Sequence, residues 1–245
     1  MQEFVRHFVA PLARNRDWKG FCEIGASNGL STDRLLKLPI DSYTIVDPCF
    51  DADLASKYAG DARVTVSRRN SLDALPILDG AYDCILIDGD HNWYTVFNEL
   101  RLIRERRLLR SEGMIFFHDV EWPYGRRDMY YQPDTIPAEY RQEYERKGII
   151  RGRSQLVEHG GTNQEFCNAV REGGPKSGVL TAIEDFIAEH PSDYNFCRVR
   201  IGAGLGILQC RRKRTSEDIS FFLLRIKAGI YSFAGEIQRT LTREK

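Results

Sequence analysis

"FCEIGASNGLSTDRLLKL" (residues 21–38) decides how this chain is read. FCEI, at 21–24, has the composition of a buried strand, and from residue 30 the spacing becomes helical. Between them Gly25 and Gly29 permit a tight turn and a close backbone approach, and Ser31 or Thr32 stands where a cap for the new helix belongs. A ligand can sit over such a helix N-terminus. Dinucleotide binding asks for G-x-G-x-x-G, because a pyrophosphate must approach the backbone closely. The spacing here is G-x-x-x-G with Glu23 two positions ahead, which departs from nicotinamide binding and tolerates a cationic or zwitterionic ligand.

Outward from this unit, YTIV (43–46), RVTV (63–66), CILI (84–87) and MIFF (114–117) alternate with helical patterns, as in a doubly wound, mostly parallel α/β sheet. Asp47 ends the second strand 22 residues after Gly25, where a ribose diol is commonly grasped. Val96, Leu100 and Ile103 predict a crossover helix with Glu99, Arg101, Arg104 and Glu105 on its polar side. Residues 195–210 predict an antiparallel strand pair that closes one sheet edge. Residues 121–177, with Pro123, Pro133, Pro137 and Pro175, break the rhythm and predict an inserted lid or acceptor-binding segment, followed by a helix over 179–189. The domain is expected to occupy 1–211. The remainder, 212–245, predicts an amphipathic helix opened by a capping box at Thr215–Asp218, with Ile219, Phe222, Leu223, Ile226, Ile230, Phe233 and Ile237 on one face. Packing on its own domain and pairing with a second copy are both open for that face. A membrane-surface role ranks third, since its polar side mixes both signs of charge.

Composition narrows the function. The chain has 245 residues, with 35 Lys+Arg balanced by 35 Asp+Glu, so no global field favours nucleic acid. The charged N-terminal stretch lacks the apolar core of a secretion signal and reads as an ordinary helix; no run is long enough to span a membrane. A soluble, cytoplasmic protein is expected. Six scattered cysteines without C-x-x-C spacing predict reduced, buried thiols.

"LIDGDHNW" (86–93) crowds Asp88, Asp90 and His91 behind the fourth strand, and His118 with Asp119 follow the fifth. Ligands of open α/β sheets bind beyond the carboxyl ends of the strands. Asp88, His118 and Asp119 there could hold a divalent cation with positions left for substrate oxygens, and His91 suits proton removal from a hydroxyl. Asp90 is read as the cap of the helix starting near Asn92, and His118 either ligates or bonds a loop carbonyl. Arg126, Arg127 and Asp128, flanked by Tyr124, Tyr130 and Tyr131, either grip an acceptor or brace their loop.

The E-x-G-x-x-x-G motif formed by Glu23, Gly25 and Gly29, with Asp47 and the terminal hairpin in order, resembles class I S-adenosylmethionine-dependent methyltransferases of Rossmann-like, seven-stranded fold. The resemblance implies that the loop of Glu23, Gly25, Ala26, Ser27, Gly29 and Ser31 wraps the methionine portion of the cofactor. It places Asp47 on the ribose, Asn70 and Ser71 by the adenine, and Asp88 at the cofactor's edge. The D-G-D-H and H-D pairs look like metal-dependent O-methyltransferases acting on macrolide sugars and the cephalosporin-hydroxylase-like branch near them, implying metal at Asp88 and Asp119 and His91 as general base. Some members carry an acidic residue where His118 stands, and imidazole suits zinc, iron or manganese better than magnesium. The acceptor implied is a hydroxyl on a sugar or natural product. Nucleic-acid methylation is disfavoured, since "DGDH" stands in place of the base-methylating tetrad. Two alternatives remain: a metal-assisted hydrolase or oxygenase partner on the same core, and a non-catalytic cofactor-binding protein that dimerises through its terminal helix.

Overall fold

The computed structural model describes residues 1–48, 53–211 and 219–243; the side chains of 219, 220, 222, 223 and 236–243 lie outside the described set. The chain divides into two compact units, one of residues 1–89 with 98–117, the other of 90–97 with the chain from 118 onward.

The first unit opens with α1 (Gln2–Phe4), which passes through a π-helical turn at Val5–Val9 into α2 (Ala10–Asn15). The expected N-terminal helix is therefore present but widened in its middle. Then follow β1 (Gly20–Ile24), α3 (Leu30–Leu35), β2 (Ser42–Val46), α4 (Leu54–Tyr58), β3 (Val64–Ser67), α5 (Ser71–Ala74) and β4 (Tyr82–Ile87). Helix α6 (Trp93–Glu105) leads to β5 (Leu109–His118). Strands β1 with β2, β1 with β4, β2 with β3 and β4 with β5 pair in parallel. Every residue of β1 is buried, as in a parallel strand covered on both faces, which is why FCEI and CILI read as continuous apolar runs. Phe21 stacks on Tyr43 at 5.9 Å, and Trp18 meets Phe21 and Phe116 edge-on. Each such ring contributes roughly 1.5–3 kcal/mol on burial.

The second unit holds β6 (Met129–Tyr130), β7 (Tyr144–Glu145), β8 (Cys167–Ala169), α7 (Val179–Glu189), β9 (Tyr194–Val199), β10 (Leu205–Cys210) and α8 (Ile219–Arg243). The main sheet has seven strands in the order β3-β2-β1-β4-β5-β10-β9, with β9 and β10 antiparallel as expected. Its order reverses between β1 and β4, the switch point where such sheets open a ligand crevice.

Two expectations need correction, and one that was left open is narrowed. Glu99 is buried rather than solvated: three residues after Val96, it flanks the apolar stripe instead of opposing it. The insertion is not a plain loop, because β6, β8 and β7 form a small antiparallel sheet within it, in that order. The fully buried Arg127 donates to the carbonyls of Ala169 (2.5 Å) and Ser154 (2.6 Å) and pairs with Glu172, so it braces the segment; Arg126 binds Thr181 and Glu184. Lastly, α8 docks through Phe221, Leu224 and Ala228, while Ile226, Ile230 and Phe233 of the stripe read from sequence are exposed. The capping box at Thr215–Asp218 lies outside the described residues.

Candidate active site

In the first unit the glycine loop is built as its sequence requires. Gly25 has φ +82° and Gly29 φ +78°, values that glycine alone adopts without strain. A Cβ at Gly25 would overlap the Asp88 carbonyl, and one at Gly29 would overlap the Tyr58 hydroxyl, so the loop lies directly against its neighbours. The turn closes with Gly29 N–H donating to Ala26 O at 2.8 Å. Tyr58 Oη donates to Gly29 O and Lys57 Nζ to Asn28 O, both at 2.9 Å, clamping the loop from α4. Helix α3 starts behind Gly29 without a side-chain cap, contrary to the expectation for Ser31 or Thr32. The Thr32 hydroxyl instead donates to Glu23 (2.5 Å), as does Tyr43 Oη (2.7 Å), because a carboxylate this deeply buried needs donors more than the helix end does. Burial pushes the Glu23 carboxyl up to about 7, against the pull of those two hydroxyls. Asp47, also buried, accepts from Ser27 N–H at 2.7 Å and so ties the end of β2 to the loop. Asn70 is exposed and Ser71 buried at the start of α5.

In the second unit Asp119 is the centre. Its carboxylate Oδ2 lies 2.7 Å from His91 Nε2 and 2.7 Å from His118 Nδ1. Burial alone would raise its carboxyl, but the two imidazoles override that and hold it well below the usual carboxylate range. Asp119 also sits at φ +57°, a left-handed conformation uncommon outside glycine that turns the chain at the strand exit. The His91 ring lies 5.4 Å from Tyr124 and 5.9 Å from the half-exposed Tyr131, whose own ring meets Phe166 edge-on at 5.6 Å. His91 O accepts from Met129 N–H at 3.0 Å, which fixes the histidine backbone to β6.

Asp90 does not cap α6. Asn92 Oδ1 does, accepting from Thr95 N–H at 2.8 Å, while Asp90 accepts from the Thr95 hydroxyl. Asp128, which sequence could assign to an acceptor grip, is buried; its Oδ1 accepts from Trp93 N–H and Gly178 N–H, both at 2.7 Å, at the N-termini of α6 and α7. Two helix starts sharing one carboxylate bring together partners 35 and 50 positions away, which no local motif announces. Tyr43, the second donor to Glu23, was equally hidden. Only the register, with Phe21 opposite Tyr43 and Glu23 opposite Ile45, shows that both face the same side.

Ile87 of β4 pairs with Phe117 of β5, so Asp88 and His118 each follow the last paired residue of adjacent parallel strands. The donor chemistry of Asp88, His118 and Asp119, two carboxylates and an imidazole, fits a divalent cation.

A parallel sheet with its switch point at a glycine loop, a buried acid on β1 and a carboxylate closing β2 are the features of a Rossmann-like, doubly wound α/β fold. Residues 22–120 match the family model described as a methyltransferase domain. Among solved structures, a Staphylococcus aureus protein assigned as a caffeoyl-CoA O-methyltransferase is similar at 16% identity and TM-score 0.52, covering 86% of this chain and 84% of that one. An O-methyltransferase assignment from Klebsiella pneumoniae (18%, TM-score 0.49, 84% and 79% covered) and the SAH-bound methyltransferase PaMTH1 of Podospora anserina (16%, 0.49, 82% and 75%) are further matches. No curated protein matches the chain.

Proposed function

We propose that this protein is an S-adenosylmethionine-dependent methyltransferase, a metal-assisted O-methyltransferase whose acceptor is a hydroxyl of a sugar or other natural product. The observation that supports it best is His91 held by Asp119 at 2.7 Å beside a second imidazole, at the strand ends where the crevice of such sheets opens. S-adenosylmethionine, when bound, supplies a methyl group on a sulfonium. Gly25, Ala26, Ser27, Gly29 and Ser31 would receive its methionine portion, with Glu23 beneath the loop; Asp47 would take the ribose, Asn70 and Ser71 the adenine side, and Asp88 the inner edge. The loop fits that role because its backbone has no room for side chains at Gly25 and Gly29.

Asp88, His118 and Asp119 would hold a cation that lowers the pKa of the acceptor hydroxyl and orients it. Asp119 orients His91 through Nε2, and the imidazole takes the hydroxyl proton as the oxygen attacks. Tyr131 and Phe166 offer ring faces for the acceptor, and the insertion 121–177 is its binding segment. The enzyme's main contribution is to align the two reactants.

The test is transfer of a labelled methyl group to a panel of sugar and phenolic hydroxyl compounds, before and after chelation. The reading expects transfer that chelation abolishes and that manganese, magnesium or zinc restores. Transfer unaffected by chelation removes the metal. Metal-dependent hydrolysis of a substrate without cofactor consumption removes methyl transfer altogether.

A further inference from the structure

Helix α8 has two opposed apolar faces, and its own unit uses one. Phe221, Leu224 and Ala228 are buried, Ser232 Oγ accepts from Arg200 N–H at 2.8 Å, and a Cβ at Gly235 would press into Ile201, so this face lies on the β9 side. On the other side Ile226, Ile230 and Phe233 are exposed by 45%, 66% and 66%. At ~100° per residue these three fall within about 60° of arc, with the exposed Lys227 and Arg225 roughly 100° to either side. Cations flanking an apolar stripe can extend to a headgroup layer while the stripe sinks below it.

Charge along the chain points the same way. Residues 211–245 carry nine Lys and Arg against four Asp and Glu, whereas the preceding residues carry 26 against 31. The balanced total conceals a basic end on an acidic body. No helix among the described residues is long and apolar enough to cross a membrane.

We propose that the Ile226, Ile230 and Phe233 face of α8 docks on an anionic lipid surface. A second copy of the chain suits it less, because two copies would set the net cationic ends of residues 211–245 against each other, while anionic headgroups complement them. The proposal is independent of the reaction catalysed. Its test is co-sedimentation of the full chain with vesicles of phosphatidylcholine alone or mixed with phosphatidylglycerol. Binding to the mixed vesicles is expected to exceed binding to phosphatidylcholine by ~10-fold or more and to weaken in high salt. Ile230→Glu with Phe233→Glu should remove it by a similar factor, and Arg225→Glu with Lys227→Glu should remove the anionic preference, both with S-adenosylmethionine affinity unchanged. Failure to bind mixed vesicles overturns the proposal. So does a dimer in light scattering that Ile230→Glu with Phe233→Glu converts to monomer, which would assign the face to a second copy.

Discussion

His91 and Glu23 carry the account at the scale of single residues, and they make separable predictions. His91→Ala should lower methyl transfer by about 10²–10⁴-fold, the usual contribution of a positioned base, while calorimetric affinity for S-adenosylmethionine stays the same. Unchanged transfer would remove His91 from the chemistry. Glu23 tests burial. Its carboxyl is raised from 4.5 to about 7, so the folded state binds the proton more tightly than the unfolded chain does. Stability is therefore favoured below about pH 4.5 and declines as pH rises to about 7, by about 3 kcal/mol in all. Glu23→Gln keeps an acceptor for Thr32 and Tyr43 but cannot ionise. The Tm of the variant relative to the parent should rise between pH 5 and pH 8; a flat difference would show that Glu23 is not strained by its charge. Gly25→Ala should destabilise by roughly 1–3 kcal/mol in denaturant unfolding, from its positive φ and the Asp88 carbonyl.

Elements are joined by fewer residues than their number suggests. Asp128 accepts at the first turns of α6 and α7 and takes the Tyr130 hydroxyl at 2.8 Å. Asp128→Ala leaves three buried donors without it and should cost about 3 kcal/mol or more in urea unfolding. Because β6 follows directly and Met129 holds His91, the same variant should also lower turnover; loss of stability with full turnover would separate the hub from the site. The strands of the main sheet were legible because a buried parallel strand must be apolar throughout. Helix α7 was legible to the residue, Val179–Glu189, since its apolar spacing has one dominant face. The insertion was not, because strands of two and three residues have no periodicity to read and its organiser, Arg127, is an arginine in a fully buried place. For α8 the sequence was read as one apolar face, and the residues that dock, Phe221, Leu224 and Ala228, lie off that stripe.

For the whole molecule, the mostly parallel sheet with its antiparallel terminal pair and the glycine loop were readable, as was the placement of His118 and Asp119 at the exit of β5. What sequence left open were contacts over long separation: Asp119 with His91, Tyr43 with Glu23, Ser27 with Asp47. These contacts hold the site in shape, and a motif search sees only one end of each. The central claim is that the loop between β1 and α3 receives S-adenosylmethionine. Isothermal titration of S-adenosylmethionine into the full chain, and into Asp47→Ala, tests it most directly. The account predicts one-to-one binding to the parent, weakened about 10-fold or more by the variant, as expected for losing charged hydrogen bonds to the ribose. A parent chain that takes up no S-adenosylmethionine would contradict it.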